Sequence, residues 1–373
     1  MQTVSSTILI LTTHTGGGHL NMAQALREML GSQCATRYDV VIADPQSALV
    51  DWWYALASRR ARKFLRWQYA ITDNAPASLW LQRALALFGR RRILALIQRI
   101  RPRLIITTHA MLAYATARAI ERLREPVPLV FQLTDLGQVH MTWFTEKRAD
   151  AYLAPTREIF AQAMAEGIDE RHLYLSGRPV RRQFSEATSD SRSETLAALG
   201  FDPSVFTIFL QGGAKGSAGV DRTIESLLSS STPVQILLAT GNNKSMAARF
   251  AGYQRVYTLP FSENIAPYMV AADVIAGKAG ASFISEAFTL EKPFIVTSFI
   301  PGQESANLRF IEQYKLGWVC LEPTSLQKLM ADITKDPALL AEKVSSIRTY
   351  KGWNRQANEG ICALIDRLLS ASE

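Results

Sequence analysis

Short apolar runs recur along this chain at intervals of about one helix, and they limit the fold more than any other feature. In the first half they are Ile8–Thr12, Asp39–Ile42, Leu104–Thr108, Leu129–Leu133 and Ala151–Ala154. In the second half they are Phe206–Leu210, Val234–Ala239, Val256–Leu259, Val274–Ala276 and Phe294–Thr297. None alternates with polar residues, so each reads as a strand buried on both faces. Helical segments separate them, among them Asn21–Leu30, 47–100, Ala110–Leu123, Asn264–Ala272, Phe283–Thr289 and Glu304–Tyr314. Strands alternating with helices imply parallel sheets covered on both sides. The pattern of strand, glycine turn and helix occurs twice at domain scale. The expected fold is therefore α/β: two Rossmann-like, doubly wound domains facing a cleft. The polar stretch SGRPVRRQFSEATSDSRSE (176–194) reads as a linker. Domains are placed at 1–180 and 181–352, with a helix in 353–373 that can fold back on the first domain.

Several classes are set aside. No twenty-residue uncharged apolar run exists, so no transmembrane helix is expected. The first apolar run lacks a preceding cationic segment and reads as a strand, not a signal peptide. Cys34, Cys320 and Cys362 lie far apart with no CxxC pair. That spacing suggests neither a zinc site nor a disulfide framework, and it fits a reducing cytoplasm.

The net charge of +8 is concentrated. Twelve Lys and Arg and one acidic residue, Asp73, lie between Trp52 and Arg103, with four of the seven tryptophans. Such a window points to a polyanionic partner. No helix-turn-helix, zinc-finger or RNA-binding signature accompanies it, which disfavours nucleic acid. The segments 52–67 and 79–101 are amphipathic enough to lie on an anionic bilayer. Trp52, Trp53, Arg59, Arg60, Arg62, Lys63, Arg66, Trp67, Trp80, Arg90, Arg91 and Arg92 are the expected membrane contacts. The competing reading is a set of core-facing helices with solvated arginines, expected for part of Leu94–Ile100.

The glycine turns carry the chemistry. TTHTGGGHLNMAQA (12–25) leaves a strand, places three glycines and sets His19 where a helix begins. Glycines at such a turn admit a ligand or an opposing backbone, and the helix start offers unpaired N–H groups. An imidazole there could take a proton from an attacking hydroxyl. From these residues alone, a simple turn and a capping histidine stay open. The second half repeats the device in QGGAKGSAG (211–219) and DVIAGKAGASFISEAF (273–288). A diphosphate suits the helix start at Gly280, Ala281 and Ser282, with Lys278 as cation and Glu286 as acceptor for ribose hydroxyls. A solvated Glu286 is the plain alternative. FIPGQESANLRF (299–310) adds Gln303, Glu304 and Asn307, a mixture suited to a sugar or to helix capping.

Taken in order, HTGGGH, TDLGQVHMTWF (134–144), ADVIAGKAGASFISEA (272–287) and PGQESAN (301–307) resemble the monogalactosyldiacylglycerol synthase group, over about residues 8–320. The resemblance implies a GT-B fold and an inverting, metal-independent transfer from a UDP-sugar to a lipid hydroxyl. It implies no cofactor and an enzyme held at the cytoplasmic face of the membrane. By the same resemblance His19 is the candidate base, with Asp135 second. Gly17, Gly18, His140 and Trp143 would line the acceptor site. Gly212, Gly213, Phe261, Lys278, Gly280, Ala281, Ser282, Glu286, Gln303, Glu304 and Asn307 would bind the donor. Two departures stand out: Leu20 where the family usually has Arg, and KAGASF where it has KAGPGT. The expected acceptor is diacylglycerol and the donor UDP-galactose or UDP-glucose. Alternatives are a polyprenyl-linked, sterol-like or carotenoid alcohol as acceptor, a non-catalytic nucleotide-sugar binder, or a nucleotide-sugar 2-epimerase.

Overall fold

A computed structural model describes residues 6–13, 17–45, 71–188, 192–211 and 220–371. The chain divides into two compact units. One comprises Met1–Arg181, Pro301–Ala306 and Trp353–Glu373; the other comprises Arg182–Ile300 and Asn307–Gly352.

The first unit is built on six parallel strands: β1 Thr7–Leu11, β2 Asp39–Ala43, β3 Leu104–Thr107, β4 Leu129–Gln132, β5 Ala151–Ala154 and β6 Leu173–Leu175. Their order is β2-β1-β3-β4-β5-β6. In register, Ile10 of β1 lies opposite Ile42 on one side and Ile106 on the other. The apolar runs are unbroken because alternate residues serve two cores. Leu9, Leu11, Ile105 and Phe131 pack against Ile93 and Ile97 of the helix Ala75–Ile100 and Ala113 of the helix Ala110–Ile120. Ile8, Ile10, Leu104 and Ile106 pack instead with Met22 and Leu26 of the helix Gly17–Ser32. Ile361, Leu364 and Ile365 of the C-terminal helix complete that second core. This helix, Ala338–Ser370, starts well before the segment that the sequence suggested.

Two expectations are corrected here. The cysteine spacing argued against a disulfide, yet Cys34 and Cys362 are bonded, with Cα atoms 5.4 Å apart. The C-terminal helix returns to the end of the first helix, and a separation of 328 residues hides that meeting from the sequence. Cys320 is a buried free thiol. The polar stretch 176–194 is also not a loose tether from its start. Ser176 and Arg178 are buried beyond β6, and the units divide between Arg181 and Arg182.

The second unit repeats the plan with β7 Phe206–Gln211, β8 Val234–Gly241, β9 Val256–Pro260, β10 Val274–Lys278, β11 Phe294–Ser298 and β12 Gly317–Val319, in the order β12-β11-β10-β7-β8-β9. Ile208, Ile236, Val274 and Ile295 face one core with Ile224 and Met330 of covering helices.

In both sheets the strand order reverses at one place, between β1 and β3 and between β7 and β10. The carboxyl ends of strands flanking such a reversal form a crevice, because their following helices leave in opposite directions. The three glycine-rich segments singled out by sequence follow β1, β7 and β10 in the chain.

Candidate active site

At the first reversal, β1 leads into His19 and β3 leads into Thr108 and His109. The His19 Nδ1–H donates to the Thr108 carbonyl at 2.7 Å. In the neutral ring that leaves the lone pair on Nε2. Thr108 Oγ1 is tied to Thr12 Oγ1 at 2.9 Å, so the two strand ends hold one another. The His109 ring meets His19 edge to face, with centroids 4.4 Å apart. His109 Nδ1 caps the helix Ala110–Ile120 by accepting the Met111 N–H at 3.3 Å.

Both imidazoles are kept from protonation. His19 is pushed down to about 4, first by burial and also by the Arg178 charge, against the pull of the Thr108 carbonyl. Burial, then the charge of His19, holds His109 well below the ordinary histidine range. Each residue as a whole is half-buried.

The 134–144 loop borders this pair. Thr134 Oγ1 is 3.4 Å from His19 Nδ1. Asp135 and Gly137 are half-buried. A Cβ on Gly137 would lie 2.3 Å from the Ala306 carbonyl oxygen, so only glycine lets the loop meet the 301–306 turn so closely. That turn carries Gln303 and a buried Glu304 and belongs to the first unit. His140 Nδ1 accepts the Thr142 N–H at 3.2 Å, and its Nε2 lies 3.3 Å from Thr72 Oγ1. Trp143 is buried in the core beside Phe131. These two expected acceptor residues thus anchor the loop from within. Gly17 and Gly18 are exposed at the helix start.

At the second reversal, Gly280 caps the helix Ala281–Thr289 with no side-chain bond to the helix start. A helix start of this kind presents backbone N–H groups of the type that can receive an anion. Lys278 is half-buried at the end of β10. Glu286, one turn into the helix, is 4% exposed. The Asn307 amide, expected near the donor sugar, donates to the Ala279 carbonyl at 3.0 Å and braces the turn itself. Phe261 stands exposed just after β9. Gly212 and Gly213 lie outside the described residues. Among the described residues, no group of three His, Cys, Asp or Glu converges as a metal cage. A cavity of about 420 Å³ beside β12, lined by Trp318, Lys328, Asp332 and Lys343, contains none of the residues singled out by sequence.

A sequence model described as monogalactosyldiacylglycerol (MGDG) synthase matches residues 19–180, and one described as the glycosyltransferase family 28 C-terminal domain matches residues 207–351. Together these two matches make the chain a glycosyltransferase similar to the MGDG synthases and to family 28. MGDG synthase 3 of Arabidopsis thaliana is 28% identical over 346 residues, covering 87% of this chain and 74% of that protein. MGDG synthase of Spinacia oleracea is 25% identical over 343 residues, 87% of this chain and 65% of that one. Among solved structures, MurG of Acinetobacter baumannii aligns with a TM-score of 0.62 at 14% identity, covering 97% of this chain and 99% of that one. HepE of Anabaena in complex with UDP-glucose aligns with a TM-score of 0.60 at 15% identity, covering 97% and 100%. The fold is GT-B, and the enzyme is a UDP-sugar glycosyltransferase.

Two residues that bear on His19 escaped the sequence reading. His109 carried a usable signal, since it follows the β3 apolar run as His19 follows the turn after β1. Arg178 carried none: it sits in a stretch whose polarity suggested solvent, and it is 2% exposed. The membrane contacts from Trp52 to Trp67 lie outside the described residues. Of the rest, Trp80 and Leu87 are 73% and 74% exposed on one face of the helix Ala75–Ile100, with Arg83 and Arg91. The opposite face buries Gln82, Ile93 and Ile97, so the core-facing reading holds for that face. Arg92 is exposed and Arg90 half-buried. No described helix is long and apolar enough to cross a membrane.

Proposed function

We propose that this glycosyltransferase moves a hexose from UDP-galactose or UDP-glucose to the hydroxyl of a diacylglycerol at an anionic membrane surface. The observation that carries the mechanism is His19, whose Nδ1–H is committed to the Thr108 carbonyl and whose Nε2 is thereby an acceptor in the neutral ring. Relatives named MGDG synthase support the choice of acceptor.

In this reading the acceptor oxygen attacks the anomeric carbon from the side opposite the diphosphate. His19 Nε2 removes its proton, the new C–O bond forms, and the bond to the diphosphate oxygen breaks. The configuration inverts, so an α-linked donor yields a β-glycoside. The N–H groups at Ala281 and Ser282, with Lys278, meet the charge of departing UDP. Glu286 is assigned to the ribose, Phe261 to the base, and Gln303 and Glu304 to the sugar. Asp135 orients the acceptor. This assignment gives the diphosphate to helix N–H groups and a lysine, with no metal in the role. The exposed Trp80–Leu87 face with its arginines, an apolar strip beside cations, is suited to an anionic bilayer.

The test is mass spectrometry of lipids after the purified enzyme meets UDP-galactose or UDP-glucose and anionic vesicles containing diacylglycerol, with and without EDTA. A monohexosyl diacylglycerol formed in both conditions is the expected product. Glycosylation of a polyprenyl or sterol alcohol in preference to diacylglycerol overturns the acceptor. Turnover abolished by EDTA and restored by a divalent cation overturns the metal-free assignment.

A further inference from the structure

The transfer just described makes no use of Arg178, although a guanidinium buried this fully is rarely present without a geometric or electrostatic role. Its surroundings are specific. Its backbone N–H donates to Asn354 Oδ1 at 2.7 Å, and Asn354 Nδ2 donates back to its carbonyl at 3.1 Å. Gly177 before it has φ of +63°, and a Cβ there would lie 2.8 Å from the Asn354 carbonyl oxygen. The C-terminal helix thus pins residues 177 and 178 and aims the side chain inward. There the guanidinium donates to the Thr134 carbonyl, just beyond β4. Thr134 is the residue whose hydroxyl lies 3.4 Å from His19 Nδ1. One buried cation therefore joins the C-terminal helix, the start of the 134–144 loop and the His19 site.

We propose that Arg178 is a positioning residue for glycosyl transfer, holding Thr134 and the start of the 134–144 loop against His19. The proposal rests on His19 acting as the base. Like charges close together disfavour each other's charged forms. Among the described residues, the charged or titratable groups acting on His19 are His109, edge-on to its ring, and Arg178 from the segment after β6. Asp135 follows Thr134 in the same loop. The Thr108 carbonyl acts oppositely, stabilising the protonated ring. Arg178 thus adds to burial in setting how acidic the medium must become before His19 is lost as a base.

The test compares the wild type with Arg178→Met and Arg178→Lys. The readouts are kcat/KM across pH, and NMR titration of the His19 ring, assigned with His19→Gln. In Arg178→Met the acid limb and the His19 titration both move up by roughly one unit, the effect of losing one nearby like charge. At pH 7 His19 is neutral in both proteins, so a fall in kcat there reports lost geometry alone. Arg178→Lys returns the limb towards its wild-type position while kcat at pH 7 stays lower. An Arg178→Met enzyme with unchanged thermal midpoint, unchanged His19 titration and unchanged kcat overturns the proposal. Should Arg178→Met fail to fold, Asn354→Ala loosens the same backbone. A several-fold fall in kcat with unchanged donor KM then supports the proposal, and wild-type kcat overturns it. If His19→Gln keeps full turnover, the base assignment fails, and the titration still decides whether Arg178 governs His19.

Discussion

Beyond β1 the chain enters a helix through Gly17, Gly18 and His19; beyond β10 it enters one through Gly280, Ala281 and Ser282. Both turns lie where strand order reverses, and both helix starts carry a partial positive charge. What surrounds them differs. The first turn faces two enclosed imidazoles and a buried arginine, all donors or potential cations. There burial, with the Arg178 charge adding to it, keeps an imidazole neutral. The second, among the described residues, shows Lys278 and a helix start whose Gly280 cap supplies no side chain. There the partial positive charge is left for an anion. Under the proposed function, one structural device serves proton removal in one unit and diphosphate binding in the other, according to which side chains crowd it.

The largest expected break in this comparison is His19→Ala. Loss of the base lowers kcat by roughly 10²–10⁴-fold, while UDP binding by calorimetry stays unchanged because the donor turn is in the other unit. In the wild type, the acid limb of kcat/KM falls near pH 4 rather than 6.5, because the neutral ring is the active form. The same shift bears on stability. Between about 4 and 6.5 the unfolded chain takes up a proton that native His19 refuses, so stability is full above that window and declines as pH drops through it.

Next in size is the covalent link that distinguishes the first unit. Cys34→Ser removes the tie between the first and last helices. It lowers stability by about 2–4 kcal/mol, read as a lower thermal midpoint under oxidising conditions, with donor affinity unaltered. A variant that melts like the wild type would show that apolar packing of Ile361, Leu364 and Ile365 alone holds the C-terminal helix. The smallest effect sharpens the second turn. Lys278→Met raises the KM for UDP-sugar by about tenfold or somewhat more, the loss of one charge-assisted contact. It leaves the acid limb in place. A limb that moved with Lys278 would mean that the two turns are not electrically separate.

The loop 134–144 shows how far local reading reaches. TDLGQVHMTWF was legible as a site segment, but the reasons for several of its residues were not. Gly137 is required by Ala306, 169 positions later by the numbering of the chain, and Trp143 by the core beside Phe131. Likewise Asn307 reads in the sequence as a donor-site residue, and only the structure shows that its amide also braces the Ala279 carbonyl. The edge strands Leu173–Leu175 and Gly317–Val319 passed unnoticed because three residues are too few to establish a period.

Most of the strands, the two glycine turns and the places of His19 and Lys278 are properties of neighbouring residues. Burial on both faces writes an unbroken apolar run, and a strand that turns sharply into a helix needs glycine. Those features the amino-acid order determines by itself. The pairing of His19 with His109, the clamp of Asn354 on Arg178 and the bond between Cys34 and Cys362 were decided only in three dimensions. They depend on which strands lie side by side and on where the last helix returns. Nothing in local periodicity encodes that choice, because it is made by the packing of cores whose residues are hundreds of positions apart.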